Sequence, residues 1–500
     1  METQPKMSEP NIAASSDSRF TSFPFVLLTL LFSLTVYRLW VIDASTLELH
    51  VDEAYYWLWA QQPAWGYYSK PPGIAFLIGF STFWGGDSQL VVKGASALIY
   101  ALSTLVVFLL AKRLHGPNTA CWAAVLFATL PAVSLSALII STDVLLILFW
   151  SLALLYYLKA LESDNWFDWV MLGLVCGFGL LSKYTMVLFS LCVLVHLAVT
   201  GQWRYLISPK FWFAVSIAVL VFVPNVIWNI DNHFPTLTHT VEISGAAEKP
   251  VRVMKGVNFI LEQAALLGPV IYIGVLAWFF RLTRRDQWPF HLAFTLPFLF
   301  VIAAFAMFGK ANANWAAPII VCATIACTHM WLSKGRYWIS VALGLNLLLA
   351  IGLYHFDSWA PKVGAQFDLN YKDPFKRVRG WNEWALSVEG QRSSVPRDIC
   401  YLSSSRSALS HLGWQLRNSY PCLVSWHPGP GIKSQFDLTS PLTDGQKGAF
   451  VLVERSGQHI ADHFTDSKLL GEAVRPFPNS KGTAEGETWQ VWLVDGFKGY

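Results

Sequence analysis

The densest group of residues able to do chemistry lies just after the first apolar run of the chain. It reads His50-Val51-Asp52-Glu53-Ala54-Tyr55-Tyr56-Trp57, followed shortly by Trp65-Gly66-Tyr67-Tyr68-Ser69-Lys70-Pro71-Pro72. Two adjacent carboxylates this close to an apolar span are costly unless water or a cation partners them. A carboxylate can act as a general base, and a lysine whose backbone is fixed by prolines can meet an anion. The alternative is an aromatic belt with a solvated acidic cap and a snorkelling lysine.

Further polar residues interrupt or flank later apolar runs. Asp143 begins one such run, and Lys183 interrupts another over 179–191. Asp143 can equally be an acid at a helix N-terminus, where it complements the helix dipole. An ionisable residue flanked by apolar sequence, such as Lys183, is a functional hypothesis by default. The other polar candidates form two groups. One group lies around the end of the apolar run 211–230 and contains Asn225, Asn229, Asp231, Asn232 and His233. The other lies in a turn between two later runs and contains Lys310, Asn312 and Asn314.

The composition predicts that most of the chain lies in a membrane. Of its 500 residues, 54% are hydrophobic, 15% aromatic and only 14% charged, with a mean hydropathy of +0.42. An average soluble domain carries about a quarter charged residues. The net charge of +4 is too small and scattered to indicate nucleic-acid binding. The first residues are polar and rich in serine, which predicts a disordered cytoplasmic tail over 1–21. Charged residues are then sparse up to residue 356 and become more frequent after it, which predicts a transmembrane domain over 22–356 and a C-terminal domain over 357–500.

Hydropathy predicts about eleven transmembrane helices. The first is long enough to span a bilayer and lacks a clear cleavage site, so we interpret it as an uncleaved helix. One kinked segment is the alternative to the division at residue 183. The predicted spans are 22–42, 90–111, 119–138, 143–161, 168–182, 184–200, 211–230, 258–280, 290–308, 315–332 and 337–356.

Basic residues orient these helices. With the N-terminus in the cytoplasm, five successive basic loops fall on the cytoplasmic side, as the positive-inside rule requires. The first external loop, 43–89, then shares the opposite face with Asp143, Lys183, the loop 231–257, the turn 310–314 and everything after residue 356. The five basic loops contain Lys112 and Arg113, Lys159, Arg204 and Lys210, Arg281, Arg284 and Arg285, and Lys334 and Arg336.

The C-terminal segment predicts a small extracytoplasmic α/β domain. Residues 374–388 are expected to form an amphipathic helix that lies on the membrane and joins the two parts. Cys400 and Cys422 can pair if the domain lies outside the cytoplasm, and two free thiols are the alternative. Strands are predicted at 399–403, 422–425, 450–453 and 488–494, and helices at 407–416 and 459–464.

Three lysines and two or three carboxylates on one face of a helical bundle suit the transfer of a group from a lipid-phosphate carrier. The lysines would hold the phosphate, and a carboxylate would take the proton of an attacking hydroxyl. A transporter or flippase for a lipid-linked anion would use the same cations without a base. No charge falls clearly at the middle of a span, which argues against a coupling-ion site. A sensor with an external domain is a third hypothesis, disfavoured because no cytoplasmic output domain is recognised.

The same residues resemble a known family. Asp52-Glu53-Ala54-Tyr55-Tyr56-Trp57 and Gly66-Tyr67-Tyr68-Ser69-Lys70-Pro71-Pro72 resemble the first external loop of family-39 glycosyltransferases. These are GT-C-fold membrane enzymes related to protein O-mannosyltransferases and to the bacterial aminoarabinose transferase of lipid A. The resemblance covers most of residues 20–390. It continues through Thr142-Asp143, Leu181-Ser182-Lys183-Tyr184, Trp228-Asn229, Asn314-Trp315-Ala316-Ala317-Pro318 and Arg377-Val378-Arg379-Gly380-Trp381-Asn382-Glu383.

The resemblance implies a polyprenyl-phosphate sugar donor and a lipid A, lipopolysaccharide or other surface-glycan acceptor. It implies transfer with inversion at the periplasmic face of a bacterial inner membrane. Tyr55 stands where the aminoarabinose enzymes usually have arginine, and Ser69 where they have glutamate, so the resemblance does not extend to the sugar.

Roles for individual residues follow from the same resemblance. Asp52 corresponds to the catalytic carboxylate with Glu53 beside it, and Asp143 to a second functional acid. Tyr67 and Lys70 match positions that hold the donor phosphate. No metal-binding pattern is visible, and no cofactor is expected to be required. Charge, polarity and placement add four substrate-binding candidates: Lys183, Lys310, His233 and Asn314.

Overall fold

A computed structural model describes residues 23–244, 251–280, 288–367, 373–429, 431–446, 448–457, 460–478 and 484–500. The predicted tail over 1–21 lies outside these residues. So does the basic loop that contains Arg281, Arg284 and Arg285.

Helices form the described chain up to residue 367, and three short 3-10 turns at Tyr184–Val187, Trp203–Ile207 and Ala313–Ala316 connect some of them. The helices are α1 (Phe23–Ala44), α2 (Val51–Gln61), α3 (Gly73–Gly85), α4 (Gln89–His115), α5 (Pro117–Thr129), α6 (Pro131–Ser136), α7 (Thr142–Ser163), α8 (Trp166–Ser182), α9 (Leu188–Thr200), α10 (Pro209–Asp231), α11 (Pro235–Ser244), α12 (Val253–Leu267), α13 (Pro269–Phe280), α14 (Trp288–Ala293), α15 (Leu296–Phe308), α16 (Ile319–Leu332), α17 (Tyr337–Tyr354) and α18 (Phe356–Phe367).

Within the described residues, six helical segments are long and apolar enough to cross a membrane, and shorter apolar helices accompany them. The six are Phe25–Ala44, Gln89–His115, Thr142–Ser163, Pro209–Asp231, Pro289–Phe308 and Tyr337–Tyr354. The mainly helical membrane fold is therefore confirmed.

Proline and glycine explain where predicted spans divide. The span predicted at 119–138 becomes α5 and α6, because Pro131 lacks the amide that would continue the first helix. Gly268, with a φ of 74°, separates α12 from α13 inside the span predicted at 258–280. The division at residue 183 is present, since Lys183 is extended between α8 and the 3-10 turn that follows.

Helix α8, which ends just before Lys183, packs closely against α10. A Cβ added to Gly173 would sit 2.5 Å from the Ala214 carbonyl oxygen, and one added to Gly177 would sit 2.6 Å from Val221. Small residues at these positions let α8 and α10 approach closely, as is common between membrane helices. At the bundle centre, the fully buried Trp150 makes edge contacts with Phe189 and Phe298.

The C-terminal part contains a five-stranded sheet in the order β2-β1-β3-β5-β4. Strand β1 is parallel to both neighbours, whereas β5 is antiparallel to β3 and β4. The predicted α/β character is confirmed, but β4 was not predicted, because its charged residues hide the alternation that indicates a strand. The elements are β1 (Tyr401–Ser403), β2 (Leu423–Ser425), β3 (Phe450–Glu454), β4 (Phe464–Pro478), β5 (Ala484–Phe497), α19 (Trp381–Gln391), α20 (Arg406–Gln415), α21 (Gln435–Thr439) and α22 (Ile460–His463).

The helix predicted at 374–388 differs from the one observed. It begins only at Trp381, after Gly380, whose φ of 73° is left-handed and whose absent side chain makes room for the Pro476 carbonyl. Trp384 and Val388 of α19 are fully buried, and this helix packs on β4. The expected membrane-surface helix is therefore part of the C-terminal domain's core.

A disulfide joins Cys400 and Cys422. Strands β1 and β2 pair in parallel with Tyr401 opposite Leu423, so the residues just before each strand are neighbours, with Cα atoms 4.6 Å apart. Of the two alternatives that the sequence left open, the structure has the disulfide.

Candidate active site

A cavity of about 290 Å³ lies where the first loop meets the ends of several membrane helices. It is lined from α2, from the segment before α3, from the beginning of α7, and from the connections after α8 and α15. Six of the sequence-predicted residues line it: Asp52, Glu53, Lys70, Asp143, Lys183 and Asn314.

The beginning of α2 is held by a capping box. The imidazole of His50 accepts a hydrogen bond from the Asp52 amide, and the Glu53 carboxylate accepts one from the His50 amide at 2.7 Å. The other Glu53 oxygen accepts from the Ile140 amide at 2.8 Å, and the Lys93 ammonium lies 3.7 Å from the oxygen that accepts from His50. Glu53 is 1% exposed. Its oxygens are occupied in capping α2 and in joining α2 to the segment before α7.

Asp52 is differently placed, since its side chain is 42% exposed beside the cavity. One oxygen accepts a hydrogen bond from Arg406 at 2.7 Å, and the other lies 3.8 Å from His50 Nδ1. Burial alone would raise the pKa of Asp52, but the charges of Arg406, His50 and Lys70 outweigh burial and lower it below its usual value. Asp52 is therefore an ionised carboxylate with room for a substrate group.

Lys70 extends into the same cavity from a tight turn. Its backbone exchanges two hydrogen bonds with Tyr67, and Pro71 and Pro72 follow it. Burial, with the nearby Lys183 charge, lowers the pKa of Lys70 to about 8, although Asp52 and Asp143 oppose this shift. Across the described part of the chain, no carboxylate lies within ion-pair distance of its ammonium. This cation is thus available to an anionic ligand.

Buried Asp143 and Lys183 form a hydrogen-bonded group with the more exposed Asn314 in the same cavity as Asp52. The Lys183 ammonium lies 2.6 Å from one Asp143 oxygen, and the Asn314 amide donates to the other at 2.7 Å. Asp143 is 4% exposed and Lys183 is 9% exposed. Asp143 lies in the first turn of α7, as the helix-dipole alternative requires, but its carboxylate also bonds to residues of two other segments.

Comparisons with known proteins show which family the chain belongs to. Residues 69–228 match the family described as dolichyl-phosphate-mannose-protein mannosyltransferase. The chain is also 30% identical over 472 residues to the lipid A galacturonosyltransferase RgtD of Rhizobium johnstonii, covering 93% of this chain and 97% of that protein. The chain belongs to this family of membrane glycosyltransferases.

The glycosyltransferase is also similar to a second sequence relative and to a solved structure. It is 29% identical over 174 residues to the undecaprenyl phosphate-alpha-4-amino-4-deoxy-L-arabinose arabinosyl transferase of Pseudomonas aeruginosa, covering 33% of this chain and 31% of that protein. The crystal structure of ArnT from Cupriavidus metallidurans bound to undecaprenyl phosphate covers 95% of this chain and 98% of that chain, with a TM-score of 0.63 at 14% identity. That likeness shows the fold. The predicted GT-C fold is confirmed, and the glycosyltransferase is a multi-pass bacterial membrane protein.

Three predicted residues do not line the cavity of this glycosyltransferase. The Tyr67 hydroxyl donates to the Trp59 and Gln62 carbonyls and accepts from the Ala64 amide, and the side chain is 1% exposed. This hydroxyl holds the loop together, and its described partners are all backbone groups. Lys310 and His233 are exposed outside the lining.

The structure also adds residues that the sequence analysis missed. Tyr56 and His239 line the cavity, and Tyr56 stood inside the motif that drew attention to Asp52. Arg406, which contacts Asp52, carried no signal, because it lies in the C-terminal domain 354 residues away. Among the residues that the structure describes, no group of three or more His, Cys, Asp or Glu side chains could hold a metal ion.

Proposed function

We propose that this glycosyltransferase moves a sugar from a polyprenyl-phosphate donor to lipid A or a related lipopolysaccharide acceptor. One observation carries the proposal: an ionised, accessible carboxylate, Asp52, shares one cavity with Lys70, which has no ion-pair partner among the described residues. The relative from Rhizobium johnstonii is named for transfer to lipid A. ArnT from Cupriavidus metallidurans, which has the same fold, was solved with undecaprenyl phosphate bound.

In the proposed reaction, the acceptor hydroxyl attacks the anomeric carbon of the donor. The bond from that carbon to the phosphate oxygen breaks, and the lipid phosphate leaves with the electron pair. The hydroxyl proton passes to the Asp52 carboxylate, which acts as general base. Attack from the face opposite the phosphate inverts the anomeric carbon. Lys70 would balance the charge that grows on the leaving phosphate.

The Asp143–Lys183 pair completes the proposed phosphate site. With Asp143 bound to it at 2.6 Å, the Lys183 ammonium stays in a fixed position beside the cavity, and Asn314 fixes Asp143 in turn. Two lysines from different segments, Lys70 and Lys183, can then approach one phosphate as point charges.

We place this chemistry at the periplasmic face of the inner membrane, with the C-terminal domain over 357–500 on the same side. Five basic loops support this orientation through the positive-inside rule. The Cys400–Cys422 disulfide supports it too, because disulfides persist in oxidising compartments.

Replacing Asp52 by asparagine tests the proposed role. Purified enzyme would be assayed with lipid A and two donors, undecaprenyl phosphate-linked galacturonic acid and undecaprenyl phosphate-linked aminoarabinose. Without the base, turnover should fall by about 10²–10⁴-fold, while undecaprenyl phosphate still binds. Asp87→Asn is the matched control, because Asp87 belongs to the same loop and, in the described contacts, its carboxylate accepts a hydrogen bond only from the Trp57 indole.

The outcomes separate the hypotheses. Full turnover by Asp52→Asn would remove Asp52 as the base. Mass spectrometry of lipid A and other surface glycans, with and without the gene, identifies the acceptor and the sugar. Unchanged glycans, together with a lipid-linked precursor that accumulates on one leaflet, would favour a flippase instead.

A further inference from the structure

The C-terminal domain places one cation directly on the proposed base. Arg406 is the first residue of α20, and its guanidinium donates to Asp52 Oδ1 at 2.7 Å while lying 5.1 Å from the centre of the Tyr55 ring. The contact joins residues 354 positions apart. Among the described residues, this ion pair directly joins the C-terminal domain to the first external loop.

Local structure does not explain an arginine at this position. The cap of α20 is made by Ser405, whose hydroxyl accepts from the Ala408 amide. A cation in the first turn of a helix opposes the helix dipole, which favours acidic residues there. The guanidinium instead contacts two residues of α2, Asp52 and the ring of Tyr55.

Apolar contacts hold α20 against α2 without Arg406. The rings of Trp57 and Trp414 meet edge to face at 5.1 Å, and Leu409 is buried in the same cluster. At Gly413, any side chain would sit 2.9 Å from Leu58, so the two helices are in close contact there. Since this docking is apolar, removing the Arg406 charge should leave the domain in place.

We propose that Arg406 is a positioning residue: it holds the Asp52 carboxylate in one orientation and keeps it ionised, so that the C-terminal domain completes the active site. The inference rests on the proposed role of Asp52 as base. A guanidinium suits this task better than an ammonium. Its planar donors can form two parallel hydrogen bonds with a carboxylate and so fix the orientation of that carboxylate.

The test is the pH dependence of transfer by purified, full-length enzyme. The other titratable or charged side chains that line the cavity beside Asp52 are not replaced in this comparison: His50, Glu53, Tyr56, Lys70, Asp143, Lys183 and His239. Loss of an adjacent cation raises a carboxylate pKa by about one unit or more. In Arg406→Gln, the acidic limb of kcat should therefore move up by about one pH unit, and kcat should fall by about 10- to 100-fold.

Two variants separate positioning from a structural effect. Arg406→Lys keeps the charge, so the acidic limb should return toward its original pH while part of the loss in kcat remains. Arg417→Gln is the matched control: Arg417 also joins the domain to the first loop, through the Asp87 carbonyl at 3.0 Å, but does not line the cavity. Its pH profile should not move.

A double variant supplies the remaining check. If Arg406 acts through Asp52, then Asp52→Asn with Arg406→Gln should be no slower than Asp52→Asn alone. An unmoved acidic limb in Arg406→Gln, or additive losses in the double variant, would overturn the inference. If the wild-type enzyme transfers neither donor to lipid A, the proposed function fails instead, and the two failures are distinguishable.

Discussion

Replacing Lys183 by methionine should destabilise the protein because it leaves a buried charge without its partner. Methionine has a similar length and apolar stem, so the substitution mainly removes the ammonium. The Asp143 carboxylate would then remain 4% exposed with the Asn314 amide as its remaining described side-chain partner. Breaking a buried ion pair from one side is destabilising by about 3–5 kcal/mol.

Removing both charges together should be far less harmful. In the double variant Asp143→Asn with Lys183→Met, the new amide is neutral and can still bond to Asn314. Replacing a buried ion pair by neutral groups of similar size is often close to neutral for stability. The double variant should therefore recover most of the lost free energy of unfolding. It should not recover undecaprenyl phosphate binding, because the ammonium is still absent.

Reversible unfolding in mixed micelles measures these free energies, and tryptophan fluorescence provides the signal. Lys310→Met is the control for stability, since Lys310 is exposed and surface substitutions usually change stability by less than about 0.5 kcal/mol. If Lys183→Met is no less stable than Lys310→Met, the pair does not carry the energy assigned to it. If the double variant is as unstable as the single one, the loss comes from packing around Lys183.

Two other predictions concern the first loop. Because the pKa of Lys70 is about 8, the affinity for undecaprenyl phosphate should fall as the pH rises through that value. The affinity of Lys70→Arg should change little up to about pH 9, because a guanidinium stays charged. Direct binding titrations measure both, and an equal pH dependence in the two proteins would contradict the prediction. Tyr67→Phe should lower the free energy of unfolding by about 1–3 kcal/mol, because the Trp59 carbonyl and the Ala64 amide lose their partner. It should leave undecaprenyl phosphate affinity unchanged, and a large loss of affinity would show that Tyr67 reaches the phosphate after all.

Much of the fold could be predicted, because membrane helices leave a strong signal in sequence. A run such as Gln89–His115 must be both long and apolar to cross a bilayer, so hydropathy finds it directly. Breaks within spans were less visible, because Pro131 and Gly268 interrupt a helix without changing its hydropathy. Strand β4 was missed for a different reason: its charged residues hide the alternation of polar and apolar residues, although it forms a hairpin with the predicted strand β5.

The candidate site could be predicted where its residues are unusual for their surroundings. Lys183 and Asp143 stood out as charges among apolar residues, and the structure brings them to 2.6 Å. Tyr67 shows the opposite limit. A resemblance in sequence suggested a phosphate contact, but burial of its hydroxyl depends on carbonyls at Trp59 and Gln62 whose direction no local pattern predicts. Arg406 had no unusual surroundings at all.

The two faces of α2 explain why the site depends on the whole chain. Positions 52, 53 and 56 share one face and line the cavity, whereas Tyr55 and Trp59 share the adjacent face. That second face packs against the C-terminal domain, where the Tyr55 ring meets Phe436 at 5.3 Å. A helix of 11 residues is marginal on its own, so both faces must be covered for it to hold a carboxylate in place. The membrane helices pack against one face of α2 and the C-terminal domain packs against the other. The orientation of Asp52 therefore depends on the contact between these two parts of the chain.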